Sequence, residues 1–191
     1  MSFGRFKIFP RKEVVLKDGT KVVFKSPEVS DAKMLVNSII KIAGSTDNLL
    51  SAPEDFDKYL KDITLEEKYI QSHYEGKDTI ISVYHNDLIV GSCNIDFHFH
   101  QKDRHRASVG IAIEKEYQDK GIGSLLFDEL INIAKETEGV EQIELSVIST
   151  NERAKHLYSK KGFVKVGDIP RQLKLKDGRY LNGESMVLFL K

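Results

Sequence analysis

The stretch from Ser108 to Leu126 constrains this chain more than any other. Val109, Ile111 and Ile113 alternate with Ser108, Gly110 and Ala112, the period-two pattern of a strand. A short loop with glycines at 121 and 123 follows. From Gly121 on, Ile122, Leu125, Leu126, Leu130, Ile133 and Ala134 recur at helical spacing. Strand, glycine loop and helix in that order make an anion site. The helix N-terminus offers unpaired N–H groups and a positive dipole end, and glycines let the backbone close around a phosphate. The Walker pattern needs wider glycine spacing followed by Lys-Ser/Thr, and the dinucleotide fingerprint needs three glycines and a later acidic residue. Neither fits here.

The rest of the chain supplies the frame for that junction. Val14–Lys17 and Thr20–Phe24 flank Asp18-Gly19, a hairpin signal. Ser30 and Asp31 open a helical pattern carrying Met34, Leu35, Ile39 and Ile42, which Gly44 stops. Residues 45–62 read as loop and short helix. Thr64 is expected to cap a helix with Glu67 as its capping-box partner, the helix running to about Tyr74 before Gly76. Strands are expected over Thr79–Tyr84 and Leu88–Phe99 about a turn at His85-Asn86-Asp87, with Gly91 marking a bulge or a close backbone approach. Along Val109–Ile113 the large side chains should face the core and the small ones should leave a shallow channel. Ile143, Leu145 and Val147 alternate as a further strand. Asn151 caps a short helix that ends at Gly162, and two last strands flank Asp177-Gly178. The sum is one α/β domain over 1–191 around a mixed sheet.

Composition removes several classes of function. Lys plus Arg and Asp plus Glu each number 29, so the formal net charge is zero, and no global field draws in a nucleic acid. No apolar stretch approaches the ~20 residues that span a bilayer. Cys93 is the single cysteine and stands in an apolar-alternating segment, where it reads as a core packer. Met1–Lys12 mixes Arg5, Lys7, Arg11 and Lys12 with Phe3, Phe6, Ile8 and Phe9 and lacks a signal sequence's apolar run, so a cytoplasmic location is expected.

Two motifs then point to a family. Gln118-x-x-Gly121-x-Gly123 after a strand resembles the coenzyme loop of the GNAT superfamily of acyl-CoA-dependent N-acetyltransferases. One strand later, Asn151-x-x-Ala154-x-x-Leu157-Tyr158-x-Lys160-x-Gly162-Phe163 resembles the family's second motif. The resemblance runs from about Leu88 to Phe163. It implies a mostly antiparallel sheet flanked by helices, here with an extra N-terminal hairpin. It also implies acetyl-CoA as cosubstrate, with no metal.

By this resemblance the backbone of Gln118, Asp119, Lys120, Gly121, Ile122, Gly123 and Ser124 holds the CoA pyrophosphate. The pantetheine arm lies beside the strand at Ile111 and Ile113, and Asn151 sits near the coenzyme as well as capping its helix. Asp119 departs from the family pattern, and its carboxylate must point away from the phosphates. Lys120 is either an added attractive charge or a solvated surface lysine. The resemblance makes Tyr158 the catalytic residue, donating a proton to the departing CoA thiolate. Glu114, Glu144 and His105 are all open as the general base. His98-x-His100 with His105 has a spacing compatible with metal, but the family's chemistry needs none. Phe97 and Phe99 alternate with these histidines as candidate walls of an acceptor pocket.

The expected acceptor is an amine, on a small molecule or at a protein N-terminus. The run Arg171–Tyr180 resembles the branch containing ribosomal-protein N-terminal acetyltransferases, but Asn182 and Gly183 replace two acidic positions of that branch. A non-catalytic acetyl-CoA-binding sensor or interaction module is the alternative. Dimers are common in the family, and the edges of the hairpin and the C-terminal strands offer a surface for a homodimer.

Overall fold

A computed structural model of the chain describes residues 8–76 and 78–190. Most of the basic and aromatic N-terminal stretch, Met1–Lys7, lies outside the described residues. Among the described residues, eight strands and five α-helices form a mixed α/β fold with a mostly antiparallel sheet of order β1-β2-β3-β4-β5-β6-β8-β7. The chain divides into two compact units, residues 1–96 with 110–126, and residues 97–109 with 127–191. Strand β5, Arg106–Ile113, and helix α4, Ile122–Glu136, each run from one unit into the other.

The first unit begins with the hairpin of β1, Lys12–Val15, and β2, Lys21–Lys25. Gly19 takes φ +83°, which costs glycine least, and Asp18 Oδ1 accepts the Thr20 N–H at 3.0 Å, closing the turn. Strand β2 pairs with β3, Asp78–His85, which pairs with β4, Leu88–Phe97. Both residues of the β3–β4 turn, Asn86 and Asp87, have positive φ, the conformation of a tight hairpin. The expected irregularity at Gly91 is present in both senses. The register jumps from Val83↔Gly91 to Tyr84↔Ile89, leaving Val90 as the extra residue. A Cβ on Gly91 would stand 3.0 Å from the Ala112 carbonyl oxygen. Helix α1, Ala32–Ala43, and helix α3, Thr64–Tyr74, bury Ala32, Leu35 and Ile70 against Tyr84 and Ile89. A short helix, α2, spans Asp57–Lys61.

The second unit pairs β5 with β6, Gln142–Ile148, in parallel, and β6 with β8, Tyr180–Phe189, antiparallel. Strand β7, Val164–Lys174, pairs with β8. Helix α5, Glu152–Lys160, presents Tyr158 to Phe127 and Phe163, ring centroids 5.1 and 6.1 Å away. Asn151 caps α5 as expected, its Oδ1 accepting the Ala154 N–H at 3.2 Å, and Gly162 ends the segment at φ +92°. Cys93 is buried, as its sequence context suggested. Among the described residues no helix is long and apolar enough to cross a membrane.

Three local expectations are corrected. Thr64 is the first helical residue of α3 and caps nothing. Asp62 plays that part instead, its Oδ1 accepting from the Thr64 N–H at 3.1 Å and the Thr64 hydroxyl at 2.6 Å. Strand β4 ends at Phe97, so His98 and His100 lie past it and share no strand face. Val109, Ile111 and Ile113 are only half-buried, like the small residues between them, and Ala107 alone on β5 is fully buried.

Candidate functional site

The glycine loop is held from several directions within the first unit. Glu114, at its entrance, is buried and its carboxylate is bound by Lys41 of α1, while its N–H donates to the Val90 carbonyl at 3.0 Å. A 3-10 turn over Lys115–Tyr117 follows. The Tyr117 hydroxyl meets His85 Nδ1 at 2.7 Å, which ties the turn to β3. Gln118 folds back, its Nε2 donating to the Ile113 carbonyl at 2.8 Å. The motif glutamine thus fixes the end of β5 to the start of the loop.

Beyond it the backbone enters conformations that side chains resist. Asp119 has φ +61° and Gly121 has φ +94°. The Asp119 residue is exposed. The Gly121 carbonyl accepts the first helical bond of α4, from the Leu125 N–H at 3.1 Å. The amides of Ile122, Gly123 and Ser124 therefore precede the helical ladder and form the N-terminal donor set of α4. Lys120 is engaged within the protein, an arrangement that neither sequence alternative named. Its Nζ lies 2.9 Å from Asp18 Oδ2 in the β1–β2 turn and 5.6 Å from the Tyr117 ring centroid. Lys120 and hydrogen bonds from Thr20 hold the Asp18 carboxyl well below the usual carboxylate range. The stem of Lys17 runs 3.5–3.8 Å from where a Gly121 Cβ would stand. The hairpin turn therefore braces the loop, a role that the Asp18-Gly19 signal alone does not disclose.

In the second unit, Tyr158 is buried, and this burial pushes its phenol up to about 12. Among the described residues its hydroxyl has no hydrogen-bond partner. The three residues considered for the general base differ in engagement. Glu114 is tied to Lys41. Glu144 receives two bonds from Arg106 Nη2, at 2.6 and 2.8 Å, and one from Nε at 3.1 Å. His105 contributes its backbone carbonyl to the Glu141 and Gln142 amides. His98, weighed from the sequence only as a metal ligand, has polar neighbours on both ring nitrogens. It stands between Asp103 Oδ2, 3.3 Å from Nδ1, and Ser108 Oγ, 3.1 Å from Nε2.

The two lost acidic positions near the C-terminus also gain a local reason. Asn182 Oδ1 accepts the N–H of Arg171, a residue at φ +53° where β7 bulges. Gly183 leaves room for Gln172, whose Oε1 would otherwise collide with a Cβ. Gln172 Nε2 in turn donates to Ser146 Oγ at 2.8 Å. These positions serve a strand bulge.

Helix α3 carries a second group that sequence reading missed. Glu66 and His73 are both buried, on the same helical face as Ile70. Burial raises the Glu66 carboxyl to about 7 and lowers the His73 imidazole to about 4. The signs oppose each other. Glu66 contributes no penalty below its ordinary value near 4.5, and stability is lost as pH rises through about 7. His73 contributes fully above 6.5, and stability is lost as pH falls through about 4. Each shift corresponds to roughly 3 kcal/mol. Glu66→Gln should therefore be more stable than the wild type at pH 8, by roughly 2–3 kcal/mol, with no gain at pH 4. Urea unfolding at the two pH values checks this. An equal effect at both would show that the carboxyl is not held neutral by burial.

The strand–loop–helix junction, the capped α5 and the mostly antiparallel sheet make up a fold shared with acetyltransferases of the GNAT family. Comparison with known proteins agrees. Residues 33–163 match the model described as the acetyltransferase (GNAT) family, so the chain belongs to that family. It is 29% identical over 99 residues to the L-amino acid N-acetyltransferase AaaT of Escherichia coli strain K12. That match covers 52% of this chain and 60% of the relative's length. The probable N-acetyltransferase san of Drosophila melanogaster is 24% identical over 131 residues, covering 68% of this chain and 70% of that protein. A GNAT-family acetyltransferase structure from Streptococcus pneumoniae superposes with a TM-score of 0.78 at 24% identity, covering 88% of this chain and 99% of that one. The structure of yncA, a putative acetyltransferase from Salmonella typhimurium with its cofactor acetyl-CoA, superposes at 0.73 with 17% identity over 89% and 94% of the two chains.

Proposed function

We propose that this protein transfers the acetyl group of acetyl-CoA to a primary amine by direct attack on the thioester. The observation that carries this reading is the braced glycine loop. It presents the free amides of Ile122, Gly123 and Ser124 at a helix N-terminus, with Gly121 in a conformation that suits glycine. In this reading the pyrophosphate rests on Gln118–Ser124, and the pantetheine arm follows Ile111 and Ile113. Both are half-buried rather than sealed in the core, which suits a surface that receives a ligand.

The amine lone pair attacks the carbonyl carbon, an oxyanion forms, and the C–S bond breaks to release CoA thiolate. Tyr158 assists that departure. A phenol near 12 stays protonated at any working pH, so it is always available as a donor. Complete transfer to a thiolate of ordinary basicity is uphill by roughly 5 kcal/mol. Its main contribution is therefore a hydrogen bond to the developing negative charge, which the solvent later discharges.

The relative in Escherichia coli is named for L-amino acids, so those are the first acceptors to try, followed by polyamines and short peptides with free N-termini. Thiol release from acetyl-CoA, dependent on one of these amines and accompanied by the acetylated product in mass spectra, is the expected result. Tight acetyl-CoA binding with no turnover on any amine would instead identify a non-catalytic sensor or interaction module.

A further inference from the structure

The turn between β1 and β2 touches the glycine loop at a second point, and the reading above leaves that contact unused. The turn, Lys17-Asp18-Gly19, is held firmly at its base. Leu16 is buried, its N–H donates to the Thr20 carbonyl at 2.8 Å, and its carbonyl accepts the Gly19 N–H at 3.0 Å. Consecutive residues of this turn then meet consecutive residues of the loop. Asp18 Oδ2 holds Lys120 Nζ at 2.9 Å, and the side chain of Lys17 lies along Gly121. All four residues belong to the first unit, as do Ile122, Gly123 and Ser124.

The two contacts differ in the charge they leave. Asp18 and Lys120 neutralise each other. Lys17 makes no hydrogen bond or ion pair among the described residues, so its positive charge is uncommitted. Its Cε, Cγ and Cδ stand 3.5, 3.7 and 3.8 Å from where a Gly121 Cβ would be, and its Nζ is one bond beyond the nearest of them. The stem thus lies flat against the glycine, and the residue as a whole is exposed, which keeps its head in solvent beside the loop. A stem already laid down has lost part of the rotamer freedom that gripping a ligand would otherwise cost. The loop's own amides bring only the partial charge of a helix N-terminus to bear on the full negative charges of a pyrophosphate. An ammonium, with three donors and a whole charge, supplies what they lack.

We propose that Lys17 is a coenzyme-binding residue, its ammonium meeting the acetyl-CoA pyrophosphate from the hairpin side while the backbone of Gln118–Ser124 holds it from the loop side. This rests on the acetyltransferase reading above. Lys17 touches the ligand. Asp18 and Lys120 act by positioning, since their ion pair fixes the turn against the loop. The N-terminal hairpin is then a working part of the coenzyme site as well as the edge of the sheet.

Calorimetric titration of the full chain with acetyl-CoA, at about 50 and about 300 mM KCl, tests this. Lys17→Met keeps the stem against Gly121 and removes the charge. It should weaken binding about tenfold at the lower salt, and by less at the higher, where the wild type's own contact is screened. Lys17→Arg restores the charge and should bind within about threefold of the wild type. The three proteins should share one melting temperature, because the residue is exposed. Acetyl-dephospho-CoA lacks the 3′-phosphate and keeps the pyrophosphate, so Lys17→Met should lose as much affinity for it. A loss seen only with the coenzyme that carries the 3′-phosphate would overturn the pyrophosphate assignment. Lys17→Met binding as tightly as a normally binding wild type at both salts would overturn the proposal alone and leave Lys17 as a brace for Gly121. A folded wild type that binds no acetyl-CoA at about millimolar concentration would overturn the coenzyme loop itself, and this proposal with it.

Discussion

Gly121→Asp is expected to lower acetyl-CoA affinity by at least about 100-fold while leaving the protein folded. Two independent effects act in the same direction. Gly121 has φ +94°, a backbone conformation that costs a non-glycine residue on the order of 1–3 kcal/mol, and relaxing it would move the amides that follow. The new carboxylate would also stand at the mouth of the α4 donor set, where like charge repels a pyrophosphate. Its Cβ would find its nearest neighbours in the stem of Lys17, at 3.5 Å or more, so the fold has room for it. Gly121→Ala separates the contributions, since it keeps the strain and omits the charge. It should lose about tenfold. Calorimetric titration with a thermal melt of each variant makes the comparison. Equal affinity in Gly121→Asp and wild type would mean the loop does not hold the coenzyme.

The second large effect is expected at Tyr158. Tyr158→Phe should lower kcat by about 100-fold and leave KM for acetyl-CoA within about twofold, because the lost hydrogen bond forms only as the sulfur gains charge. The structure makes this substitution unusually clean. The ring keeps its packing against Phe127 and Phe163, and among the described residues its hydroxyl has no partner to lose. The melting temperature should accordingly be unchanged. Steady-state kinetics with direct thiol detection decides it, and unaltered kcat would leave Tyr158 as a packing residue of α5.

What could be read from the chain beforehand follows from what local chemistry determines. The Asp18-Gly19 and Asn86-Asp87 turns, the Asn151 cap and the left-handed Gly162 each depend on residues within a few positions of one another, and each stands as expected. The strand, glycine loop and helix at Ser108–Leu126 were legible for the same reason. Where a hydrogen bond had two local suitors, the reading failed: Asp62 serves the start of α3, and Thr64 is its ligand rather than its cap.

Long-range partners were not legible. Lys120 meets Asp18 across 102 positions of sequence, and His98 is recruited by Ser108 only because a turn at 100–106 folds β5 back beside it. The burial of Glu66 and His73 reverses what their polarity suggests, since both stand on the face of α3 that carries Ile70. Alternation also misled on β5. A period of two separates the faces of a strand but does not say that either face is sealed, and Ile111 and Ile113 remain half-buried.

The central claim is that the loop from Gln118 to Ser124 is an acetyl-CoA site, and a calorimetric titration of the wild-type chain with acetyl-CoA tests it most directly. The account predicts saturable one-to-one binding with a dissociation constant of roughly micromolar order, competed by CoA. A folded protein showing no heat and no competition at about millimolar acetyl-CoA would contradict it.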